Sequence, residues 1–525
     1  MLASAGGTGW DPQDLARVLL VASGVLVVCI AAVRATARSG LPTLLIYLAI
    51  GLVLGEGVIG IDFESDAIGQ VLGYAALVLI LTEGGLTTRW SAIRRSVAPA
   101  AALSTVGVVV SVLVTAVCAH WLLELDWHIA MLIAAIVSST DAAAVFSVLR
   151  RVPLPRRLSG MLEAESGFND APVVILVVAL SARAADPAHA EPWWLLGLTA
   201  TLELVGGSIV GIVVGYLGGQ LVRRTASVTS GLFSIGVIAV SVLAYSVAVS
   251  AHTSGFIACY LASLVMGNMT MPHRAAMLGF AESVGWLAQI GLFVMLGLLA
   301  SPSTLLEQVP AALLLGFALL LVARPLSVIV SLTPFGVPWR DQAFLSWAGL
   351  RGAVPVVLAT VPVTIGARGV DWVFDLVFVL VVLFTLIQAP TLPWVARRLG
   401  VTEVALATDV MVESEPLERL GADLVEVSVG EGSRMHGVRV FELRLPKGAN
   451  VSLVVRDGES FVPGPQTLVR AGDQLLVVCG RGLRRDVGRR LRAVSRDGRL
   501  AGWHRPSPDP ARPTPPPSPS TAPRP

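Results

Sequence analysis

Two short stretches place acidic side chains inside otherwise apolar sequence, Ser138-Ser-Thr-Asp141 and Glu165-Ser-Gly-Phe-Asn-Asp170. A charge at mid-bilayer costs at least about 2.5–3.5 kcal/mol on insertion scales, so such groups face a cavity and mark ion or proton paths. On a helix, residues four apart share a face and neighbours stand about 100° apart. Ser166 and Asp170 therefore form one polar pair, and Glu165 and Asn169 form the adjacent one. The first pair offers a carboxylate and a hydroxyl oxygen, hard ligands for a partly dehydrated alkali cation, and Thr140 and Asp141 are placed to complete the shell. Asp170 is the expected carrier. A carboxylate can hold a proton or a cation but not both, and that competition enforces exchange. Glu165 needs a cationic partner, because an unpaired buried carboxylate is costly. Arg324, inside the apolar run around Ala323-Arg-Pro-Leu326, is the expected partner.

A second polar interruption, Gly349-Leu-Arg-Gly-Ala-Val-Pro355, puts Gly and Pro where they disrupt a helix. Broken helices whose half-helix ends face an ion are a recurring transporter device, found at corresponding positions of two inverted repeats. Arg351 is either an anchor of this loop or part of the cavity lining. Glu83 lies near the end of an apolar run and reads as interfacial, and Glu203 and Glu282 stay outside the site.

The elements that position these residues follow from the apolar runs. Only 14% of the 525 residues are charged, against roughly 25% in a soluble globular chain. From about Leu15 to Ala396 the runs are long enough to cross a hydrocarbon core of about 30 Å. They divide into about thirteen spans, from 14–33 to 373–396, with the fourth at 97–122, the fifth at 127–149, the sixth at 160–181, the eleventh at 309–331 and the twelfth at 343–365. The first is expected to be retained, since no basic region precedes it. The fold class expected is all-α and polytopic, with spans 1–6 and 8–13 as two inverted six-helix repeats whose fifth and twelfth members break and cross.

Alternate loops differ in charge. Arg89, Arg94 and Arg95, Arg150, Arg151, Arg156 and Arg157, Arg223 and Arg224, and Arg397 and Arg398 fall on one side; Asp62, Glu64, Asp66, Glu124, Asp126, Asp186, Glu191 and Glu307 fall on the other, with Arg183 and Arg368 its basic members. Basic loops stay cytoplasmic, which puts the N-terminus outside and the C-terminus inside a bacterial inner membrane. Residues 1–400 form the membrane domain and 401–418 a linker. A small α+β domain follows at 419–495, with strands at 423–429 and 474–479 and a basic helix at about 483–493. The Pro-rich end, 496–525, is too poor in apolar residues to fold.

A formal net charge of +2 without a basic patch argues against nucleic acid. Cys29, Cys118, Cys259 and Cys479 lack metal or redox spacing and read as packing residues. A K⁺ channel would need a carbonyl-lined filter such as Thr-Val-Gly-Tyr-Gly, and an intramembrane enzyme a nucleophile, metal or phosphate motif; none is present.

Thr140-Asp141-Ala-Ala-Ala-Val-Phe-Ser147, Glu165-Ser-Gly-Phe-Asn-Asp170, Ala323-Arg-Pro-Leu326 and Gly349-Leu-Arg-Gly-Ala-Val354 together resemble the NhaP-type branch of the cation:proton antiporters. Phe461-Val-Pro-Gly-Pro465 and Leu468-Val-Arg-Ala-Gly-Asp-Gln-Leu475 resemble the RCK C-terminal (TrkA-C) module. The resemblance implies a homodimer in which a core unit shifts, elevator-like, against a dimerisation unit. It also implies Asp170 as transport carboxylate, Thr140, Asp141 and Ser166 as cation ligands, Glu165 with Arg324 as supporting ion pair, and, from Asn169, electroneutral exchange. The attached module tips the expected cation toward K⁺ over Na⁺, with a Na⁺/H⁺ exchanger of the same fold as the alternative. No cofactor is expected, apart from a small nucleotide-like regulator in the module.

Overall fold

Backbone amides and carbonyls have no water to bond at bilayer depth, so long apolar runs close their hydrogen bonds within helices. The computed structural model describes residues 12–39, 43–55, 66–149, 154–186, 192–225, 230–367, 369–402, 412–413, 416–417, 422–430, 432–480 and 482–501. Most of the expected linker (403–411), the tail from 502, and Asp62, Glu64, Arg150, Arg151, Glu191 and Arg368 lie outside the described residues. The chain divides into two compact units, Met1–Glu403 and Val404–Pro525.

In the first unit, nine helices among the described residues are long and apolar enough to span a membrane, and four shorter apolar helices accompany them. They sort into two bundles. One contains Pro12–Ser39, Thr43–Leu54, Asp66–Thr87, Trp193–Arg224, Ser230–Ser250, Gly255–Asn268 and Arg274–Leu299, each packed on others of the set. Buried Gly207, Gly211, Gly215 and Gly219 form a smooth stripe along Trp193–Arg224. It lets Gly255–Asn268 approach so closely that a Cβ on Gly215 would lie 2.6 Å from the Ala262 Cα.

The other bundle contains Val97–Leu123, Trp127–Ile136, Ala142–Leu149, Arg156–Ala185, Pro302–Phe335, Trp339–Trp347, Ala353–Ile365 and Asp371–Leu399. The sixth expected span is longer than read, because Arg156–Ala185 continues past the apolar run at both ends. Two single-turn π segments, Leu103–Gly107 and Leu319–Ala323, lie on facing helices, and the Ser327 hydroxyl donates to the Gly107 carbonyl at 2.7 Å. Such wide turns free carbonyls from the helical ladder and recur at functional sites.

The second unit is a six-stranded antiparallel sheet with a helix. Its order is β1 (Val412–Glu413), β3 (Ala422–Ser428), β6 (Gln474–Gly480), β4 (Ala449–Arg456), β5 (Glu459–Phe461), with β2 (Pro416–Leu417) also on β3. Alternation sets the core: Leu475, Val477 and Cys479 of β6 are buried, as are Val425 and Val427 of β3. Helix Arg484–Asp497 covers them with Val487, Leu491 and Val494, a helical spacing, and runs past the expected end near 493.

Asp473 is fully buried beside this sheet. Its carboxylate accepts two bonds of 2.8 Å from Arg456 and one of 2.7 Å from the Arg470 amide. Burial alone would raise the carboxyl, but these bonds and the two arginine charges outweigh it and hold the group below the usual carboxylate range. A depressed carboxyl stabilises above its unfolded value and loses that contribution on acidification. Asp473→Asn is expected to destabilise the second unit by about 1.5–3 kcal/mol at neutral pH. The difference from the parent chain should shrink below about pH 4, as followed by protection of this unit from limited proteolysis in urea.

Candidate functional site

Helix Trp127–Ile136 ends at Val137 and the chain resumes as a helix at Ala142; Trp339–Trp347 ends likewise and resumes at Ala353. The two breaks meet. The Asp141 amide donates to the Leu350 carbonyl at 2.8 Å. Arg351 Nη1 donates to the carbonyls of Ser138 (2.6 Å) and Ser139 (2.5 Å), which the end of the first half-helix leaves without intrahelical partners. A guanidinium there also meets the negative end of the half-helix dipole. Arg351 is thus a loop anchor, buried and tied at its own carbonyl by the Thr385 hydroxyl at 3.3 Å. Asp141 does the converse: its Oδ1 accepts the Ala144 amide at 3.2 Å and caps the half-helix that follows. A Cβ on Gly352 would run into the Asp141 carboxylate, and one on Gly349 would lie 2.7 Å from Arg324 Nε, so glycine alone permits this crossing.

Helix Arg156–Ala185 brings its polar pairs against the crossing. Asp170, 7% exposed, accepts a 2.8 Å bond from the Ser139 hydroxyl. Glu165 Oε1 lies 2.6 Å from Arg324 Nη1, with both side chains buried, and the Ser104 hydroxyl on the first π segment donates to the Glu165 carbonyl. Arg324 Nη2 also reaches the Leu345 carbonyl at 3.4 Å. Asn169 donates to the Thr140 hydroxyl at 2.6 Å, and that hydroxyl donates to Glu165 at 3.2 Å. Thr140 therefore turns its hydroxyl to the Glu165–Asn169 face, where the sequence reading had it beside Ser166 and Asp170. Ser139, not singled out from sequence, takes that place on Asp170.

A cavity of about 330 Å³ opens between the two bundles. Thr140, Asp141, Ser166 and Asp170 line it from one side, together with Glu163. Glu83, Gly84 and Thr87 of helix Asp66–Thr87, Tyr260 and Gln289 line it from the other. Glu83, read as interfacial, is thus a wall of the cavity. Its own helical spacing carried no such signal, because its place in the wall depends on how helix Asp66–Thr87 packs. Three carboxylates, Asp141, Glu165 and Asp170, surround the crossing with two guanidinium groups, Arg324 and Arg351, so one negative charge is left over. Hard oxygen ligands around that excess suit a single monovalent cation or a proton.

The model of the sodium/hydrogen exchanger transmembrane family matches residues 24–398. The chain belongs to the sodium/hydrogen exchanger family of cation:proton antiporters. The TrkA-C domain model matches residues 424–492, so the second unit is a TrkA-C domain. Among similar members of the family, a K(+)/H(+) antiporter NhaP of Alkalimonas amylolytica is 35% identical over 474 residues, spanning 88% of this chain and 81% of that protein. A K(+)/H(+) antiporter NhaP2 of Shewanella oneidensis is 35% identical over 481 residues, 89% and 82% of the two chains. A Na(+)/H(+) antiporter NhaS2 of Synechocystis is 28% identical over 414 residues, 74% and 73%. The sodium proton antiporter MjNhaP1 of Methanocaldococcus jannaschii, a solved structure, shares the exchanger fold with a TM-score of 0.65 over 73% of this chain and 99% of that one, at 20% identity.

Removing one partner of a buried pair leaves an uncompensated charge, at a cost of about 3–5 kcal/mol. Arg324→Ala is therefore expected to lower the melting temperature of the purified exchanger more than Arg324→Ala combined with Glu165→Gln. Tryptophan fluorescence on heating in detergent makes the comparison, and equal losses would argue against coupling.

Proposed function

We propose that this exchanger moves one K⁺ against one proton across the bacterial inner membrane, with Asp170 as the group that carries either ion. The observation that carries the reading is the position of Asp170: buried, beside a cavity between two bundles, with a hydroxyl but, among the described residues, no guanidinium in salt-bridge contact. Ser166 and Asp141 supply further oxygen ligands; Thr140, in the cavity wall but with its hydroxyl bonded to Glu165 and Asn169, joins Glu165, Arg324, Asn169 and Arg351 in holding them in place. Cation and proton each cancel the one excess negative charge at the crossing. The site thus crosses the bilayer with the same net charge in either direction, which supports electroneutral one-for-one exchange.

Transport then follows as a shift of the bundle carrying the crossing against the bundle carrying Glu83 and Tyr260, in a homodimer held by the latter. The π segments in the fourth and eleventh spans and the breaks in the fifth and twelfth support a reading as two inverted six-helix repeats. Basic loops put the C-terminus in the cytoplasm, where the TrkA-C domain takes a small regulatory ligand. The K⁺ preference rests on the 35%-identical relatives named as K⁺/H⁺ antiporters and on the attached TrkA-C domain. The Na⁺ alternative rests on the more distant NhaS2.

Purified protein in proteoliposomes with an internal pH dye, challenged with K⁺, Na⁺ and Li⁺ in turn, tests the reading. Proton movement is expected to be driven best by K⁺ and abolished in Asp170→Asn. A dye response that survives the substitution removes Asp170 from the carrier role, and an equal response to Na⁺ removes the K⁺ preference.

A further inference from the structure

A second, larger cavity of about 1060 Å³ lies at the basic end of the membrane unit, and Glu163 lines both this cavity and the transport cavity. Arg89, Arg94, Arg95 and Arg157 converge on it from two separated stretches of chain, and Glu163 is the one carboxylate in the lining. Among the described residues none of the four guanidinium groups is in a salt bridge. The loop-charge rule explains why arginines lie on this side but not why four of them line one cavity.

The walls are built. The Ser96 hydroxyl donates to the Arg157 carbonyl at 3.2 Å, and Gly160 lets helix Arg156–Ala185 sit against short helix Trp90–Ile93, where a Cβ would be 3.1 Å from the Ala92 carbonyl. Helix Arg156–Ala185 begins at this cavity with no side-chain cap on its first amides, which adds a positive helix end to the four arginines. Phe335 and Leu154 complete the lining with apolar surface. Trp90 and Trp339 are 48% and 68% exposed nearby in sequence to these walls, as interfacial tryptophans are.

We infer that this cavity binds the phosphate of an anionic phospholipid headgroup. Arginine forks match phosphate oxygens, basic pockets between membrane helices take such headgroups, and the apolar wall favours a lipid over a free phosphate. The shared Glu163 gives the site a consequence for exchange, which rests on the reading above. The four guanidinium charges, offset only by Glu163 in the lining and by Asp341 acting on Arg157, oppose the approach of a cation to the transport cavity; a bound phosphate lowers that barrier.

The test uses the full-length protein, delipidated in detergent and titrated in native mass spectrometry with phosphatidylglycerol or phosphatidylcholine. Retention of phosphatidylglycerol is expected to be about a hundredfold weaker in Arg94→Gln/Arg95→Gln/Arg157→Gln than in the parent, at about fivefold per arginine. Phosphatidylcholine should bind both alike. In proteoliposomes, phosphatidylglycerol should lower the KM for the cation in the parent and leave the variant unchanged. Equal phosphatidylglycerol retention by parent and variant overturns the site. A fall in KM produced by glycerol 3-phosphate added to pure phosphatidylcholine vesicles overturns the lipid in favour of a free phosphate. If the triple variant does not fold, Arg94→Gln and Arg95→Gln are compared singly by the same retention measurement. Absence of exchange in every lipid would refute the transport reading, while lipid retention would still decide the site.

Discussion

The structure turns on one electrostatic constraint: every charge buried at the crossing of the two broken helices has a fixed partner except that of Asp170. Arg351 answers the free carbonyls of a half-helix, Asp141 caps another, and Glu165 answers Arg324. Asp170 has only the Ser139 hydroxyl and an opening to the cavity. In a low-dielectric interior an unmatched carboxylate is costly, and on the proposed reading an exchangeable ion supplies its compensation. A protein that fixed this last charge with an arginine would be more stable and would carry nothing.

The rest of the bundle serves to keep that imbalance in place. Breaking two helices at the same depth exposes backbone groups that lipid cannot satisfy. The breaks satisfy one another, through the Asp141 amide on Leu350 and through Arg351 on Ser138 and Ser139. Gly349 and Gly352 make room for Arg324 and for the Asp141 carboxylate at the point of contact. The Asn169–Thr140–Glu165–Arg324 chain then locks the helix carrying Asp170 against the crossing. The crossing and the helix carrying Asp170 are thus tied together, while the second bundle supplies the opposite wall of the cavity.

Much of this was legible in the sequence, for a physical reason. Deep charges are so improbable in lipid that Asp141, Glu165, Asp170 and Arg324 announce themselves, and helical periodicity separates the Ser166–Asp170 face from the Glu165–Asn169 face. The alternation in β3 and β6 was equally plain. Periodicity failed where the chain is not helical: in the break at 137–141 neighbours are not 100° apart, and Ser139, not Thr140, bonds Asp170. Glu83 was missed because facing the cavity depends on how helix Asp66–Thr87 packs, which its own sequence does not encode. Whether Arg351 anchored a loop or lined a cavity was likewise a question of which carbonyls lay within reach.

The central claim is that one carboxylate holds a proton or a cation and never both together. The most direct measurement is the count of protons released when K⁺ binds to the protein in weakly buffered detergent solution with a pH indicator, the bound cation being counted by calorimetry. Roughly one proton per cation is predicted at a pH where the vacant carboxyl is protonated, falling toward zero as the pH rises and the proton leaves beforehand. Cation binding of undiminished strength with no proton release at any pH would contradict the account.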